Sequence, residues 1–156
     1  MKARWMQISP QDFEAVVSLA VTVLKRSPMK TLGLLKRCLP GGPRDHAAVV
    51  VEDDEGSIIG YTLYRHNDKE IKIKHVAVHE NDRRQGAAKS LLNWIIESYP
   101  DTKKLILADV SENNTAAQKL FASMGFKAQL VRNDKDDGDK YRFSFDPSKG
   151  RVKEKV

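Results

Sequence analysis

Two periods of apolar spacing run through the chain. Phe13, Val16, Val17, Ala20, Val21 and Leu24 fall at offsets 0, 3, 4, 7, 8 and 11, a single helical stripe. Ser9-Pro10-Gln11-Asp12 stands just before it as a start signal. Ser9 suits the cap, Pro10 the first helical position, and Asp12 the capping-box acid. Lys25 and Arg26 follow at the C-terminal end, where cations complement the helix dipole. Ahead of this helix, Ala3 to Ile8 reads as an edge strand. Behind it, a second helix is expected near Thr31 to Leu39, ended by Pro40-Gly41-Gly42-Pro43.

The chain then turns to strands. Ala47 to Val51 is a compact apolar run, Asp53-Asp54-Glu55-Gly56 a polar turn, and Ile58 to Tyr64 the returning strand of a hairpin. After the turn at His66-Asn67-Asp68, Glu70 to Val78 is a third strand. Gln85 to Tyr99 returns to helical spacing. Ala88, Leu91, Leu92, Ile95, Ile96 and Tyr99 share one face, and Pro100 closes the helix. Lys104 to Val110 is a central strand. Thr115 to Met124 is a helix with Asn113 or Asn114 as cap and Gly125 just past its end. Phe126 to Val131 and Lys140 to Phe145 are two last strands around the acidic loop Asn133 to Asp139. Helices interleaved with strands make a mixed α/β layer architecture. Residues 1–146 read as one domain, and 147–156 as a polar tail that frays.

A length of 156 residues suits one domain with a sizeable core. No run approaches the roughly 18 to 20 apolar residues of a membrane span. Met1 to Pro10 lacks the apolar centre of a signal peptide. A single cysteine, Cys38, leaves no internal disulfide and no multi-cysteine metal site. A cytoplasmic protein with no membrane contact and no metal is therefore expected. The formal charge is +6, and the whole excess lies in residues 1–44, where only Asp12 and Glu14 oppose the basic residues. Such a stretch suits an acidic partner or a nucleic acid. Trp5 and Trp94 lie outside residues 25–44, so no stacking set accompanies the basic residues and nucleic acid is not expected.

Candidate chemistry concentrates where the third strand meets the next helix, in His75-Val76-Ala77-Val78 followed by His79-Glu80-Asn81-Asp82-Arg83-Arg84-Gln85-Gly86-Ala87-Ala88. Small residues let a ligand approach the backbone closely. The first turn of a helix leaves N–H groups unpaired at the positive end of its dipole, and pyrophosphate is a natural occupant. Arg83, Arg84 and Lys89 add charge there. This is not a P-loop, because no Gly-Lys-Ser/Thr follows at the required spacing. It is not the dinucleotide fingerprint either, because Gly86 is alone where three glycines are needed. His75 and His79 sit four apart on a strand and turn rather than on one helix face, which argues against a metal pair.

A second stretch, Leu105 to Asn114, leads into Ala116, Ala117, Leu120, Phe121, Met124, Gly125 and Phe126. Together the two stretches resemble the GNAT superfamily of N-acetyltransferases. The family's cofactor motif, Arg/Gln-x-x-Gly-x-Gly/Ala, is matched by Arg83, Gly86 and Ala88. Its second motif, Asn-x-x-Ala-x-x-Leu-Tyr-x-x-x-Gly-Phe, is matched by Asn114, Ala117, Leu120, Gly125 and Phe126. The order of elements agrees over residues 3–145. Asp109-Val110-Ser111-Glu112-Asn113-Asn114 is similar to a stretch of the ribosomal-protein N-terminal alanine acetyltransferases. The fold implied is α/β of GNAT type: a mixed, mostly antiparallel central sheet, helices on both faces, and a splay between the two central strands.

The resemblance implies acetyl-CoA as acetyl donor, lying in the splay between the strands that end at Val78 and Val110. Backbone groups of Val76 and Val78 would pair with the pantetheine arm. Arg83 and the amides of Arg84, Gln85, Gly86, Ala87 and Ala88 would cradle the pyrophosphate, and Asn114 would hold the pantetheine. Phe121, counted with the cofactor site, stands where the family commonly has Tyr, and it has no proton to give. Tyr141 or water would then serve the leaving thiol. The reaction is acyl transfer from a thioester to a neutral amine, which needs a proton acceptor and a stabiliser for the oxyanion. Lys72 stands where many members carry Glu. Asp109 is the first candidate for the base and His75 the second, with Glu70 and water chains remaining.

The expected acceptor is a primary amine of a protein or peptide, with a small-molecule amine or a degenerate CoA-binding module as alternatives. In this fold the first two helices and the last hairpin frame the acceptor groove. Basic residues 25–37 then face Asp134, Asp136, Asp137 and Asp139, so both charge signs are on offer. Lys72 and Lys74 face the acceptor by alternation with Ile71 and Ile73, a count that a bulge would shift. A monomer or homodimer is expected.

Overall fold

The computed structural model describes residues 1–83, 86–99, 104–131 and 139–150. Its strands are β1 (Lys2–Trp5), β2 (His46–Glu52), β3 (Ile58–His66), β4 (Glu70–Val78), β5 (Leu105–Ser111), β6 (Lys127–Val131) and β7 (Lys140–Phe145). They form one sheet in the order β1-β2-β3-β4-β5-β7-β6. β4 and β5 pair parallel, and every other neighbouring pair is antiparallel. The sheet is thus mixed and mostly antiparallel, as the resemblance implied.

The helices cover both faces. α1 (Pro10–Thr22) and α2 (Pro28–Lys36) lie on one side, where Val16, Leu19, Ala20 and Leu35 pack with Ala48, Val50, Tyr61, Leu63 and Ala77. α3 (Ala87–Ser98) and α4 (Thr115–Ser123) lie on the other, where Leu91, Leu92, Ile95 and Phe121 pack with Val49, Val51, Ile71 and Ile106. The strict alternation of Ala48 and Val50 against Val49 and Val51 is period-2 patterning with both faces buried.

The local signals explain the boundaries, and some differ from expectation. Ser9 Oγ accepts from the Asp12 N–H at 3.2 Å and caps α1. The Asp12 carboxylate does not reach back to Ser9. It accepts the Gln7 N–H at 2.6 Å and two bonds from Arg4, at 2.8 and 3.1 Å. α2 begins at Pro28 rather than Thr31, because Ser27-Pro28 repeats the Ser9-Pro10 signal and Ser27 Oγ accepts from the Lys30 N–H at 3.3 Å. β1 stops at Trp5 rather than Ile8, since beyond Met6 the chain turns to supply the Gln7 N–H to Asp12. The tail does not fray at once: Pro147–Gly150 is a short helix, α5, whose Ser148 N–H is capped by Asp146 at 3.0 Å. Pro100, residues 133–138 of the acidic loop and residues 151–156 lie outside the described residues.

Two irregularities of β4 position the site. Leu63 pairs with His75 and Tyr64 with Ile73, so Lys74 is an extra, unpaired residue: a β-bulge. Before the bulge, Ile71 and Ile73 pack on the α3 side; after it, Val76 and Val78 do so and Ala77 packs on the α1 side. The bulge therefore reverses the facing of the strand. The second irregularity is at the other edge. The β4–β5 ladder runs from Glu70 opposite Leu105 to Ile73 opposite Ala108 and goes no further. From Lys74 onward the two central strands separate, which is the splay the resemblance implied.

Candidate active site

The splay leaves one edge of β4 open. His79 N–H donates to the Ile59 carbonyl at 2.8 Å, so the antiparallel ladder places its bonded pairs at 79–59 and 77–61. The N–H and C=O groups of Val76 and Val78 then point the other way, into the cleft. Arg83 confirms the direction at one of them: its Nε donates to the Val78 carbonyl at 3.3 Å.

At the mouth of the cleft, α3 starts on Gly86, which has φ +84° and gives no side-chain cap. An L side chain is strained in that left-handed conformation, and glycine is not. The N–H groups of the first turn, on Ala87, Ala88 and Lys89, have no intrahelical acceptor, the arrangement that suits an anion. The Ala87 methyl is itself buried in the core, so that residue offers its backbone alone. Arg84 and Gln85 lie outside the described residues.

The rest of the expected cofactor set is less uniform. Asn114 caps α4, its Oδ1 accepting from the Ala117 N–H at 3.1 Å, so its amide NH₂ is what remains for a ligand. Phe121 is only 3% exposed and belongs to an aromatic core, its ring 5.1 Å from Phe126 and 5.6 Å from Phe143. Its place is explained by packing.

The three catalytic candidates do not form one cluster. Asp109 lies on β5 facing away from α3. Arg142, its direct partner on β7, grips both carboxylate oxygens, Nε to Oδ1 at 2.8 Å and Nη2 to Oδ2 at 3.1 Å. Lys72 Nζ adds a contact at 3.2 Å. The hydrogen bonds from Arg142, then that from Lys72, hold the Asp109 carboxyl below the usual carboxylate range. A carboxylate so stabilised takes up a proton less readily, which weighs against placing it first among the candidates for the base. His75 is 6% exposed, its Nδ1 2.7 Å from the Tyr61 hydroxyl. Burial first, then the charges of Arg26 and Lys74, push its pKa down to about 4. Tyr141 packs on the opposite face, beside Phe143 and the α3 core. It stands across the sheet from Asp109 and His75.

On the His75 side, between β4 and the start of α2, is a cavity of about 220 Å³. Arg26, Lys30, Thr31, Leu34, Lys74 and His75 line it. The bulge is the reason two successive β4 residues, Lys74 and His75, both reach this wall. Lys72, against Asp109, and Lys74, in the wall of this cavity, both lie on the side of the sheet that carries α1 and α2, although the strand's facing changes between them. Two partners escaped sequence reasoning, Arg142 and Tyr61. Arg142 alternates with the apolar Tyr141 and Phe143, but its pairing with Asp109 depends on a β5–β7 register that spacing does not encode.

Comparison with known proteins agrees with this geometry. A model of the Acetyltransferase (GNAT) family matches residues 15–126. The UPF0157 protein YqkA of Bacillus subtilis (strain 168) is 33% identical over 78 residues, which is 49% of this chain. The chain spans only 22% of the length of that relative in the match. The ribosomal-protein-S18-alanine N-acetyltransferase of Escherichia coli superposes with a TM-score of 0.74 at 17% identity, covering 93% of this chain and 94% of that one. A spermidine N-acetyltransferase chimera from Vibrio cholerae and hSSAT gives 0.76 at 16% identity, covering 96% and 98%. Among the described residues no helix is long and apolar enough to cross a membrane. With the splayed β4–β5 pair, the uncapped start of α3 and a family match over most of its length, this chain belongs to the GNAT family of acetyltransferases.

Proposed function

We propose that this protein transfers an acetyl group from acetyl-CoA to a primary amine of a peptide or protein. The observation that carries the reading is the open β4 edge next to the uncapped α3 start. An extended amide-bearing arm fits the first, as an added strand would, and a pyrophosphate fits the second. Val76 and Val78 would hold the arm through their backbone, and Gly86, Ala87, Ala88 and Arg83 the phosphates. The peptide or protein acceptor is supported by the stretch from Asp109 to Asn114 and by the fold shared with the ribosomal-protein alanine acetyltransferase.

Acetyl-CoA supplies a thioester carbonyl; overall an N–C bond forms, the C–S bond breaks, and the proton lost by the amine ends on the released thiol. The protein must therefore present the amine without its extra proton. The cavity does this electrostatically. Arg26, Lys30 and Lys74 surround the entering amine with like charge, which disfavours its ammonium form. His75 stays neutral at working pH. In the tautomer whose Nδ1–H donates to the Tyr61 hydroxyl oxygen, its Nε2 is open to the acceptor's proton, and with a pKa of about 4 it relays that proton to water rather than keeping it. Asp109 compensates Lys72 and Arg142 and keeps the floor of the site from carrying more positive charge.

Two measurements test the proposal. Acetyl-CoA should raise the melting temperature, and CoA thiol should appear when peptides with free N-termini are added. Stabilisation without thiol release from any peptide or small amine would identify a binding module instead, the reading that Lys72 and Phe121 favour. No stabilisation at millimolar acetyl-CoA would remove both.

A further inference from the structure

We propose that the acceptor is an amine with an acidic group a few bonds from the reacting nitrogen, and that Arg26, Lys30 and Lys74 seat that group. This rests on the acetyltransferase reading above and specifies its substrate.

The cavity between α2 and the β4 bulge carries three cationic side chains and no acidic one among its lining residues. Nor are these cations ion-paired among the described residues. Lys72 and Arg142 are matched by Asp109, and Arg65 by Glu70 at 3.0 Å, but Arg26, Lys30 and Lys74 have no ion-pair partner among the described residues. The three come from separate elements, the α1–α2 connection, the first turn of α2 and the bulge, so their convergence is a property of the fold rather than of one basic run. Arg37, by contrast, lies in the same basic segment of the sequence and is spent on Asp45 at 2.6 Å.

The local field registers on its neighbours. Arg26 and Lys74 help hold His75 neutral, and Lys74 itself is pushed down, by burial first and then by Lys72, Arg65 and Arg26. The first turn of α2 adds its N-terminal backbone dipole to the same wall. A polyamine or a lysine-rich peptide would bring more positive charge into this space and be repelled. An amine with a nearby carboxylate or phosphate is attracted through its acid, while its nitrogen still meets the like charge that deprotonates it. The same three cations thus select the acceptor and prepare its nucleophile.

The test compares acceptors in a CoA thiol-release assay on the full chain. One series is the peptides Ala-Asp-Ala-Ala, Ala-Asn-Ala-Ala and Ala-Lys-Ala-Ala, with a phosphoserine version to separate phosphate from carboxylate. Spermidine is included as the polycation. The acidic peptides should exceed the Asn peptide in kcat/KM by about tenfold, and the Lys peptide and spermidine should fall below it. In Lys74→Glu and in Arg26→Glu the ratio of acidic to Asn peptide should invert, a readout that simple loss of folded protein does not move. Raised salt should shrink the ratio in the unmodified chain. Turnover with spermidine or the Lys peptide preferred, or a ratio unchanged in both variants, overturns this inference and leaves the acetyltransferase reading intact. No turnover of any acceptor overturns both.

Discussion

Arg142 holds Asp109 by both carboxylate oxygens, at 2.8 and 3.1 Å, from the directly opposite position of the neighbouring strand. We read the pair as compensating charge rather than as a base awaiting a proton. Asp109→Asn should therefore lower kcat by less than tenfold, whereas loss of a general base costs about 10² to 10⁴. It should also lower stability by about 1 kcal/mol, because Lys72 and Arg142 lose their partner. A steady-state profile from pH 6 to 9 checks this. A hundredfold fall in kcat with unchanged acetyl-CoA affinity would restore Asp109 as the base.

Much of the fold was legible because its signals are local. Capping serines, helix-period stripes and Gly125 lie within a few residues of what they specify. The same rule applied to Ser27-Pro28 places the start of α2, so that boundary too is readable from the sequence. The strand, turn and helix start that we propose hold the cofactor were legible for the same reason, since Arg83, Gly86 and Ala88 are neighbours in sequence. The catalytic side was not. Asp109 meets Arg142 only through strand register, and His75 meets Tyr61 only across the β3–β4 ladder. The facing of Lys74 and His75 turns on a bulge that no residue pattern announces. Residue type alone does not show what surrounds Asp109, because its pKa is lowered by a partner 33 residues away.

Gly86→Ala tests the cradle. At φ +84° an alanine costs about 1 kcal/mol, and among the described residues beyond its chain neighbours the nearest atom to the added Cβ is Met1 Cε at 4.0 Å, so strain rather than collision is the cause. Relief of that strain would re-aim the first N–H groups of α3. Calorimetric titration should show CoA binding weakened about five- to tenfold. Gly41→Ala, with φ +88° and an equally open site past the end of α2, should lose similar stability and keep its CoA affinity. Equal weakening in both variants would mean that the effect is general destabilisation.

Asp12 is the stability counterpart. It is 4% exposed, ties β1 to α1 through Arg4 and takes the Gln7 N–H. The hydrogen bond from Arg4, the largest cause, lowers its pKa. A depressed carboxylate stabilises the fold above its unfolded pKa, and that contribution is lost as pH falls through the folded value. Asp12→Asn should cost about 2 to 3 kcal/mol at pH 7, since Arg4 then keeps Glu52 at 2.7 Å and the Trp5 carbonyl at 3.1 Å but loses its buried carboxylate. Thermal melts should show a drop of about 5 to 10 °C, shrinking toward acid pH as the native carboxylate protonates. A drop that does not change with pH would assign the loss to packing.

His75 sets a different acid limb. Its folded pKa of about 4 lies below the ordinary histidine value, burial being the main cause and Arg26 and Lys74 adding to it. The unfolded chain takes up a proton below about pH 6.5 while the folded one does not. Stability from this group is therefore whole above pH 6.5 and is lost progressively as pH falls toward 4, by as much as about 3 kcal/mol. Asp12 and Asp109 titrate below the usual carboxylate range and do not mimic this window. Urea unfolding at pH 7, 5.5 and 4.5 should show the decline in the unmodified chain and a flatter course in His75→Gln, whose side chain can still hydrogen-bond the Tyr61 hydroxyl. The same assignment fixes the rate profile. Above pH 6 His75 does not change charge, so any fall in kcat/KM between pH 8 and 6 belongs to protonation of the acceptor amine. Acceptors of lower amine pKa should then shift that limb to lower pH. A limb that stays in place across acceptors, and vanishes in His75→Gln, would show that the histidine titrates there after all.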